Sequence, residues 1–120
     1  VCFLQKRTED AEGNIIAKRV GTMAVSFDRT VDWQNGATFE IMYGDITGKP
    51  GYDASLMKLG TGNYYARNSH GDSKPIQEIG WADANEQPTH ILIQFTSSLG
   101  GAFVGSPGNT FWLDNVGLVY

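Results

Sequence analysis

Several segments of this chain alternate apolar and polar residues with a period of two, and this pattern constrains its fold more than any other feature. Such alternation is typical of β-strands that bury one face. It runs through residues 22–27 and 38–43. In residues 91–96, Ile91, Ile93 and Phe95 alternate with a set that begins with the apolar Leu92, and we expect a strand covered on both faces. We therefore expect an all-β fold.

Helical periodicity is confined to one short segment. Residues 52–59 could form one or two turns, with Asp53 as the N-cap, between Gly51 and Gly60. The turns between strands are predicted at 12–14, 35–36 and 100–101, where Gly and Asn cluster.

The last eleven residues, 110–120, are rich in β-formers but irregular. Leu113 and Val116 have opposite parity, so a strand that buries both, together with Leu118, needs a bulge near Asp114. Trp112 is expected to lean toward the core as well.

Residues 47–87 lose the alternating pattern and are rich in Gly, Asn, Asp and Ser. Loops longer than about 15 residues are uncommon inside compact domains, so this excursion should contain short strands of its own. Residues 63–66 and 76–81 are the candidates. The whole of 1–120 is expected to be one domain, or the C-terminal half of a larger one, with the excursion 47–87 inside it.

Charge and composition exclude some function classes. The formal net charge is −4 and the basic residues are scattered, which disfavours nucleic-acid binding. No apolar run approaches the roughly 20 residues that span a bilayer. Cys2, the single cysteine, cannot form an intrachain disulfide and is expected to be buried in a strand.

Catalytic motifs are missing from the sequence. It contains no G-x-S-x-G and no H-E-x-x-H, and both histidines, His70 and His90, are expected to be structural. Two carboxylates across a cleft would suffice for a glycosidase, and sequence spacing does not exclude such a pair. Glu40 would be one member, although a solvated strand face explains it more simply.

Two segments contain candidate metal ligands. Residues 83–86 resemble the start of an EF-hand loop, but Pro88 stands where that loop needs glycine. A structural calcium ion held by Asp114 or Asn115 and a distant loop stays open. The alternative is that both side chains satisfy backbone groups at the bulge.

Aromatic residues in the excursion point to a ligand. Sugar rings present apolar C–H faces and polar rims, so their sites combine a flat aromatic platform with amides, carboxylates and hydroxyls. Neighbouring strand residues point to opposite faces, so one of two adjacent tyrosines should pack inward and the other should face the ligand. The predicted ligand-binding residues are Asn63, Tyr64, Tyr65, Arg67, Asp72 and Trp81.

The C-terminal part of the chain resembles a known family. A strand ending in Ser97 and Ser98 leads into a Gly-rich loop at 100–105 and then into the run 108–120 that ends in Tyr120. This is similar to the end of the carbohydrate-metabolism domain found in surface lipoproteins of gut Bacteroidetes, and to jelly-roll carbohydrate-binding modules. Residues 33–45 are similar to the family's Trp-led strand.

The resemblance implies an extracellular or cell-surface β-sandwich of jelly-roll type, associated with glycan use and made as a lipid-anchored precursor. The family has paired aspartates where this chain has Asp114 and Asn115, which weakens any inference of a metal there. Its domain is about twice as long, so this chain corresponds to its C-terminal half or to a shortened relative.

Three functions follow as hypotheses. The first is a non-catalytic module that binds a polysaccharide or oligosaccharide. The second is a glycoside hydrolase or lyase that uses loop carboxylates such as Asp53, Asp72 and Asp83. The third is a structural or adhesive module whose exposed strand edges pair with another chain, or with a missing N-terminal half that completes the sheet.

Overall fold

The protein is built on one mixed β-sheet. The computed structural model describes residues 1–27, 32–96, 110–114 and 116–118. Strands account for 35% and helix for 4%, so the predicted all-β class agrees with the structure. In chain order the elements are β1 (Cys2–Glu9), β2 (Ile15–Met23), β3 (Met42–Tyr43), α1 (Ala54–Met57), β4 (Tyr65–Arg67), β5 (Ser73–Trp81) and β6 (His90–Ile93).

Strand β2 is the centre of the sheet. The strand order is β4-β5-β2-β1-β6, and the short β3 also pairs with β2. The β2–β5 pair is parallel, whereas the other pairs are antiparallel. Strand β5 pairs with β2 over Ile15 to Arg19, and β3 pairs with Gly21 and Thr22. Strand β5 is therefore an integral strand of the sheet, although the excursion 47–87 contains it.

A tight turn joins β1 to β2. The carboxylate of Asp10 accepts hydrogen bonds from the backbone N–H groups of Glu12 and Asn14, at 3.0 and 2.8 Å. Gly13 has φ +80°, a conformation that glycine adopts without the steric cost of a side chain. The predicted turn at 12–14 is confirmed.

A bulge in β2 shifts its register with β1 by one residue. Leu4 pairs with Gly21. The next residue, Gln5, pairs with Arg19, so Val20 is an extra residue in β2. Because paired residues share a face of a sheet, Gln5 and Arg19 lie side by side.

A second bulge lies in β5. Ala17 pairs with Glu78. The next residue, Lys18, pairs with Gly80, so Ile79 is the extra residue. The bulge shifts the register by one residue, so that Trp81 rather than Gly80 pairs with Arg19.

The two bulges gather unusual residues on one face of the sheet, which we call the Arg19 face. Arg19 pairs with Gln5 on one side and with Trp81 on the other. Glu78 lies on the same face through its pairing with Ala17, and Phe3 through its pairing with Thr22. The buried residues of this face therefore include Arg19, Gln5 and Thr22 as well as Phe3.

The opposite face has a small apolar core. Leu4, Val20 and Ala82 form a buried cluster, and Ile41 packs against it. Cys2 is buried too, as predicted from the sequence. The sheet thus separates an ordinary hydrophobic cluster from a face whose centre is charged.

The short helix forms where the sequence predicts it. Asp53 is the N-cap of α1, and its carboxylate accepts from the backbone N–H of Ser55 at 3.0 Å. Only Met57 of the helix is buried. The predicted strand 76–81 lies within β5, and the predicted strand 63–66 overlaps β4.

Other strand predictions are wrong or too long. Of the predicted strand 22–27, only Thr22 and Met23 belong to β2, and of 38–43 only β3 is a strand. Alternation is a local signal, whereas a strand also needs a partner with which to form hydrogen bonds. Strand β6 confirms a strand near 91–96, but not its coverage on both faces: Ile91 and Ile93 are each 41% exposed.

The C-terminal prediction fails in the residues that the structure describes. Positions 110–114 and 116–118 contain no strand. Leu113, Val116 and Leu118 are 49%, 54% and 46% exposed, and Trp112 is 79% exposed, so the expected burial is wrong. The described part of this run forms no strand pairing that would press these side chains onto the sheet. The predicted turn at 100–101, the paired serines and Asn115 lie outside the described residues.

Candidate functional site

An ion pair lies at the centre of the Arg19 face. Arg19 Nε is 2.5 Å from Glu78 Oε2, and Arg19 Nη2 is 2.5 Å from Glu78 Oε1. The two parallel contacts make the pair bidentate, the geometry in which a planar guanidinium matches a carboxylate best. The side chains are 0% and 3% exposed.

The remaining hydrogen-bonding capacity of both groups is largely used. Glu78 also accepts from Gln5 Nε2 and from the backbone N–H of Gly60, each at 3.0 Å. A carboxylate offers about four acceptor sites, and all four are thereby filled. Arg19 Nη1 donates to Thr22 Oγ1 at 3.2 Å and to the carbonyl of Met57 at 3.1 Å.

Aromatic rings enclose the guanidinium. The Cζ atom of Arg19 lies 3.6 Å from the centroid of the Phe3 ring and 5.5 Å from that of Trp81. Tyr64 meets Phe3 edge to face, with 6.2 Å between the ring centroids. A desolvated cation gains more from an aromatic face than an exposed one, so these rings help to offset the loss of water around Arg19.

The environment of Glu78 keeps its carboxyl group ionised. Burial alone would raise its pKa, but the hydrogen bonds and charge of Arg19, with the Gly60 and Gln5 contacts, hold the pKa of Glu78 below its ordinary value. All acceptor sites of the Glu78 carboxylate are thus occupied, and Arg19 balances its charge. The carboxylate serves to hold Gln5, Gly60 and Arg19 in place.

A cavity of about 330 Å³ opens beside this pair. One carboxylate, three amides, hydroxyls and two phenol rings contribute to its wall, which is the mixture that a polar ligand with apolar faces requires. The lining residues are Gln5, Gly60, Thr61, Asn63, Tyr64, Tyr65, Pro75, Ile76, Gln77 and Glu78.

Tyr64 and Tyr65 both line this cavity but differ in burial and in their contacts. Tyr64 is half-buried against Phe3, and its hydroxyl donates to Gln94 Oε1 at 2.8 Å. Burial raises the pKa of Tyr64. Tyr65 is 65% exposed and pairs with Pro75 in the β4–β5 ladder. The prediction that one tyrosine packs inward while its neighbour stays exposed is confirmed, whereas a ligand role for either stays a prediction.

Trp81 lines a different, larger cavity of about 590 Å³. Two carboxylates, Asp45 and Asp83, belong to this cavity, together with Lys49. Lys49 Nζ donates to the carbonyl of Tyr43 at 3.0 Å, and Asp45 accepts from Thr47. The other lining residues are Tyr43, Gly44, Ala82 and Ala84.

Arg67 and Asp72 line neither cavity. Both stand at the turn between β4 and β5, where Arg67 Nη1 donates to the carbonyl of Gly71 at 2.8 Å. The backbone N–H of Asp72 donates to Asn68 Oδ1 at 3.0 Å. Of the six predicted ligand-binding residues, the structure brings together Asn63, Tyr64 and Tyr65.

The carboxylates named for an enzyme are dispersed. Asp53 caps α1, Asp72 is exposed at the β4–β5 turn and Asp83 lines the larger cavity. Glu40 is exposed and lies outside the strands. Among residues 1–27, 32–96, 110–114 and 116–118, no group of three or more His, Cys, Asp or Glu is placed to hold a metal. A calcium ion at Asp114 stays a prediction.

Sequence reasoning missed Arg19, Gln5 and Glu78. A signal was present: Arg19 has the same parity as Ile15 and Ala17, which are apolar and buried. A charged residue in the buried set of a strand indicates an interior partner of opposite charge. Glu78, in phase with Ile76, offers the matching signal on β5.

Comparisons of the chain with protein-family models, with curated proteins and with solved structures find no match. In the described part of the chain, no helix has the length and hydrophobicity that crossing a membrane requires.

Proposed function

We propose that this chain is a non-catalytic glycan-binding module and that the cavity beside Glu78 is its binding site. The observation that carries the proposal is the position of Tyr65. Tyr65 is 65% exposed and lines the cavity, and the other lining residues include Asn63, Gln77 and Thr61. An aromatic face can stack on the C–H face of a sugar while amides and hydroxyls bond its rim.

The rigidity of the surrounding wall supports this proposal. Gln5 is 1% exposed, and both ends of its amide are fixed: Nε2 donates to Glu78, and Oε1 accepts from Arg7 Nε at 2.9 Å. A site built from fixed groups loses less conformational freedom when it binds a ligand. The resemblance of the C-terminal segment to a family associated with glycan use points the same way.

Our proposal extends to the architecture and to the location of the protein. The face opposite Arg19 carries apolar side chains that are only half covered, among them Ile91 and Ile93. A second layer packed on that face would make a β-sandwich of jelly-roll type. The resemblance to surface lipoproteins leads us to propose export to the cell surface.

Calorimetric titration against a panel of oligosaccharides tests the binding proposal. Tyr65→Ala should weaken binding by about 1–3 kcal/mol, the value of an aromatic contact, and leave folding within roughly 0.5 kcal/mol. Tyr43→Ala is the matched control, since Tyr43 is 43% exposed and lines the larger cavity.

The outcomes separate the alternatives. Loss of affinity in Tyr43→Ala but not in Tyr65→Ala would move the site to the larger cavity. Shortening of the oligosaccharide during the titration would favour a hydrolase or lyase, with Asp83 as the first carboxylate to replace. An absence of binding by the parent across the panel would refute the proposed function.

An adhesive module is the second candidate, and β6 favours it. Strand β6 ends the strand order, and no described strand pairs with its outer edge. Its apolar residues Ile91 and Ile93 are each 41% exposed. If this edge pairs with another chain, sedimentation should show a concentration-dependent oligomer that Ile91→Lys abolishes and that sugars do not affect.

A further inference from the structure

We infer that the cavity beside Glu78 selects electrically neutral glycans over chains that carry carboxylates or sulfates. This inference rests on the proposed function and adds the ligand class. Among the described residues that line the cavity, Glu78 is the only charged one, and it is an anion. An acidic sugar would therefore find no cation among these residues.

Arg19 cannot take the role of that cation. Its side chain is 0% exposed, and its guanidinium is directed to Glu78, Thr22 and Met57. Drawing it toward an acidic ligand would leave the Glu78 carboxylate buried without its partner, which is a large penalty. The ion pair is thus closed to the ligand.

A second cation, Arg7, contacts a residue of the cavity lining but does not itself line the cavity. Arg7 Nε donates to Gln5 Oε1 at 2.9 Å, and Gln5 rather than Arg7 forms the wall. A ligand carboxylate in the cavity would lose water without gaining an ionic hydrogen bond, and uncompensated desolvation of charge is unfavourable. A neutral sugar meets amides and hydroxyls that can both donate and accept.

The test compares a neutral and an acidic form of one oligosaccharide, which differ only at the primary alcohol positions. The first is the neutral oligosaccharide that binds best in the panel, and the second is the same oligosaccharide with its primary alcohols oxidised to carboxylates. The parent should bind the neutral form at least about tenfold more tightly. An unpaired charge at an interface costs more than the free energy that corresponds to a tenfold change in affinity.

Gln77→Lys should reverse the preference in part. Gln77 is exposed and lines the cavity, so a lysine there supplies the missing cation and should raise affinity for the oxidised form about fivefold or more, an effect that salt should weaken. Ile79→Lys is the matched control, because Ile79 is 62% exposed on the same strand but outside the cavity lining.

Each result has a distinct meaning. Tighter binding of the neutral form, with a gain for the oxidised form in Gln77→Lys alone, supports the inference. Equal or tighter binding of the oxidised form by the parent would overturn it while leaving glycan binding intact. Equal gains in Gln77→Lys and Ile79→Lys would also overturn it, because the charge would then act from outside the cavity. Binding of neither form would refute the proposed function and the inference with it.

Discussion

Arg19 and Glu78 lie 59 residues apart in sequence and form a bidentate ion pair with side chains that are 0% and 3% exposed. The pair joins β2, at the centre of the sheet, to β5, which follows α1 and β4 in the chain. Gly60, at the end of the helical segment, is held by the same carboxylate through its backbone N–H. The Glu78 carboxylate therefore links two residues of the cavity lining, Gln5 and Gly60, to the buried Arg19.

Breaking this pair from one side should be costly. Arg19→Met leaves the Glu78 carboxylate buried without its cation, and we expect a loss of about 3–5 kcal/mol in the free energy of unfolding. The double variant Arg19→Met/Glu78→Gln removes both charges and should lose clearly less than the sum of the two single variants. Denaturant titration of all four proteins measures this coupling. Additive losses would contradict a coupled pair.

The depressed pKa of Glu78 predicts how stability depends on pH. The unfolded chain has the ordinary pKa of 4.5 and the folded chain a lower one, so between them the unfolded state binds more protons. The pair's contribution is complete above pH 4.5 and is lost as the pH falls through the folded pKa. The difference in unfolding free energy between parent and Glu78→Gln should therefore shrink on acidification. Because both proteins contain the same remaining carboxylates, the contributions of those groups cancel in this difference. A difference in unfolding free energy that stays constant with pH would contradict the lowered pKa of Glu78.

Short-range features of the fold could be predicted from the sequence. Asp53 before an apolar turn predicts a cap, and Gly13 beside Asn14 predicts a tight turn; both lie where they were expected. Such features depend on a residue and its immediate neighbours, which the sequence displays directly.

The two nine-residue strands, β2 and β5, were predicted only in part because their pattern is interrupted. In β2 the extra residue Val20 breaks the alternation that Ile15, Ala17 and Arg19 begin. In β5 the extra residue Ile79 does the same. A bulge is visible only when the partner strand is known, so period-two reasoning loses the register at these points.

In the candidate site, too, only the residues that are close in sequence could be predicted. Asn63 and the two tyrosines are close in sequence and could be grouped from their residue types. Gln5 and Glu78 reach the cavity from β1 and β5, and only the pairing of both strands with β2 brings them together. A local pattern contains no information about such pairing.

Tyr64 should contribute to stability in two separable parts. Tyr64→Phe removes the hydrogen bond to Gln94 and keeps the ring against Phe3, so we expect a loss of about 0.5–1.5 kcal/mol. Tyr64→Ala also removes the edge-to-face packing and should lose about 2–4 kcal/mol, because a partly buried aromatic is deleted. Thermal or denaturant unfolding measures both. Equal losses would mean that the ring contributes nothing.

The turn at Gly13 offers a prediction with an internal control. Gly13 has φ +80°, and a side-chain carbon placed there would lie 2.6 Å from Asn68 Nδ2, which donates to the carbonyl of Gly13 at 3.0 Å. Gly36 has a similar φ of +70° but no atom within 4 Å of such a carbon. Both alanine variants suffer the strain of a positive φ, roughly 1–2 kcal/mol. Only Gly13→Ala must also displace Asn68.

That displacement matters because Asn68 organises the β4–β5 turn. It is 7% exposed, and its Oδ1 accepts from the backbone N–H groups of His70 and Asp72, at 2.9 and 3.0 Å. Moving it leaves buried polar groups without partners, which costs about 1–3 kcal/mol beyond the backbone strain. Gly13→Ala should therefore be more destabilised than Gly36→Ala by that amount in denaturant titration. Equal losses would show that the turn can shift without disturbing Asn68.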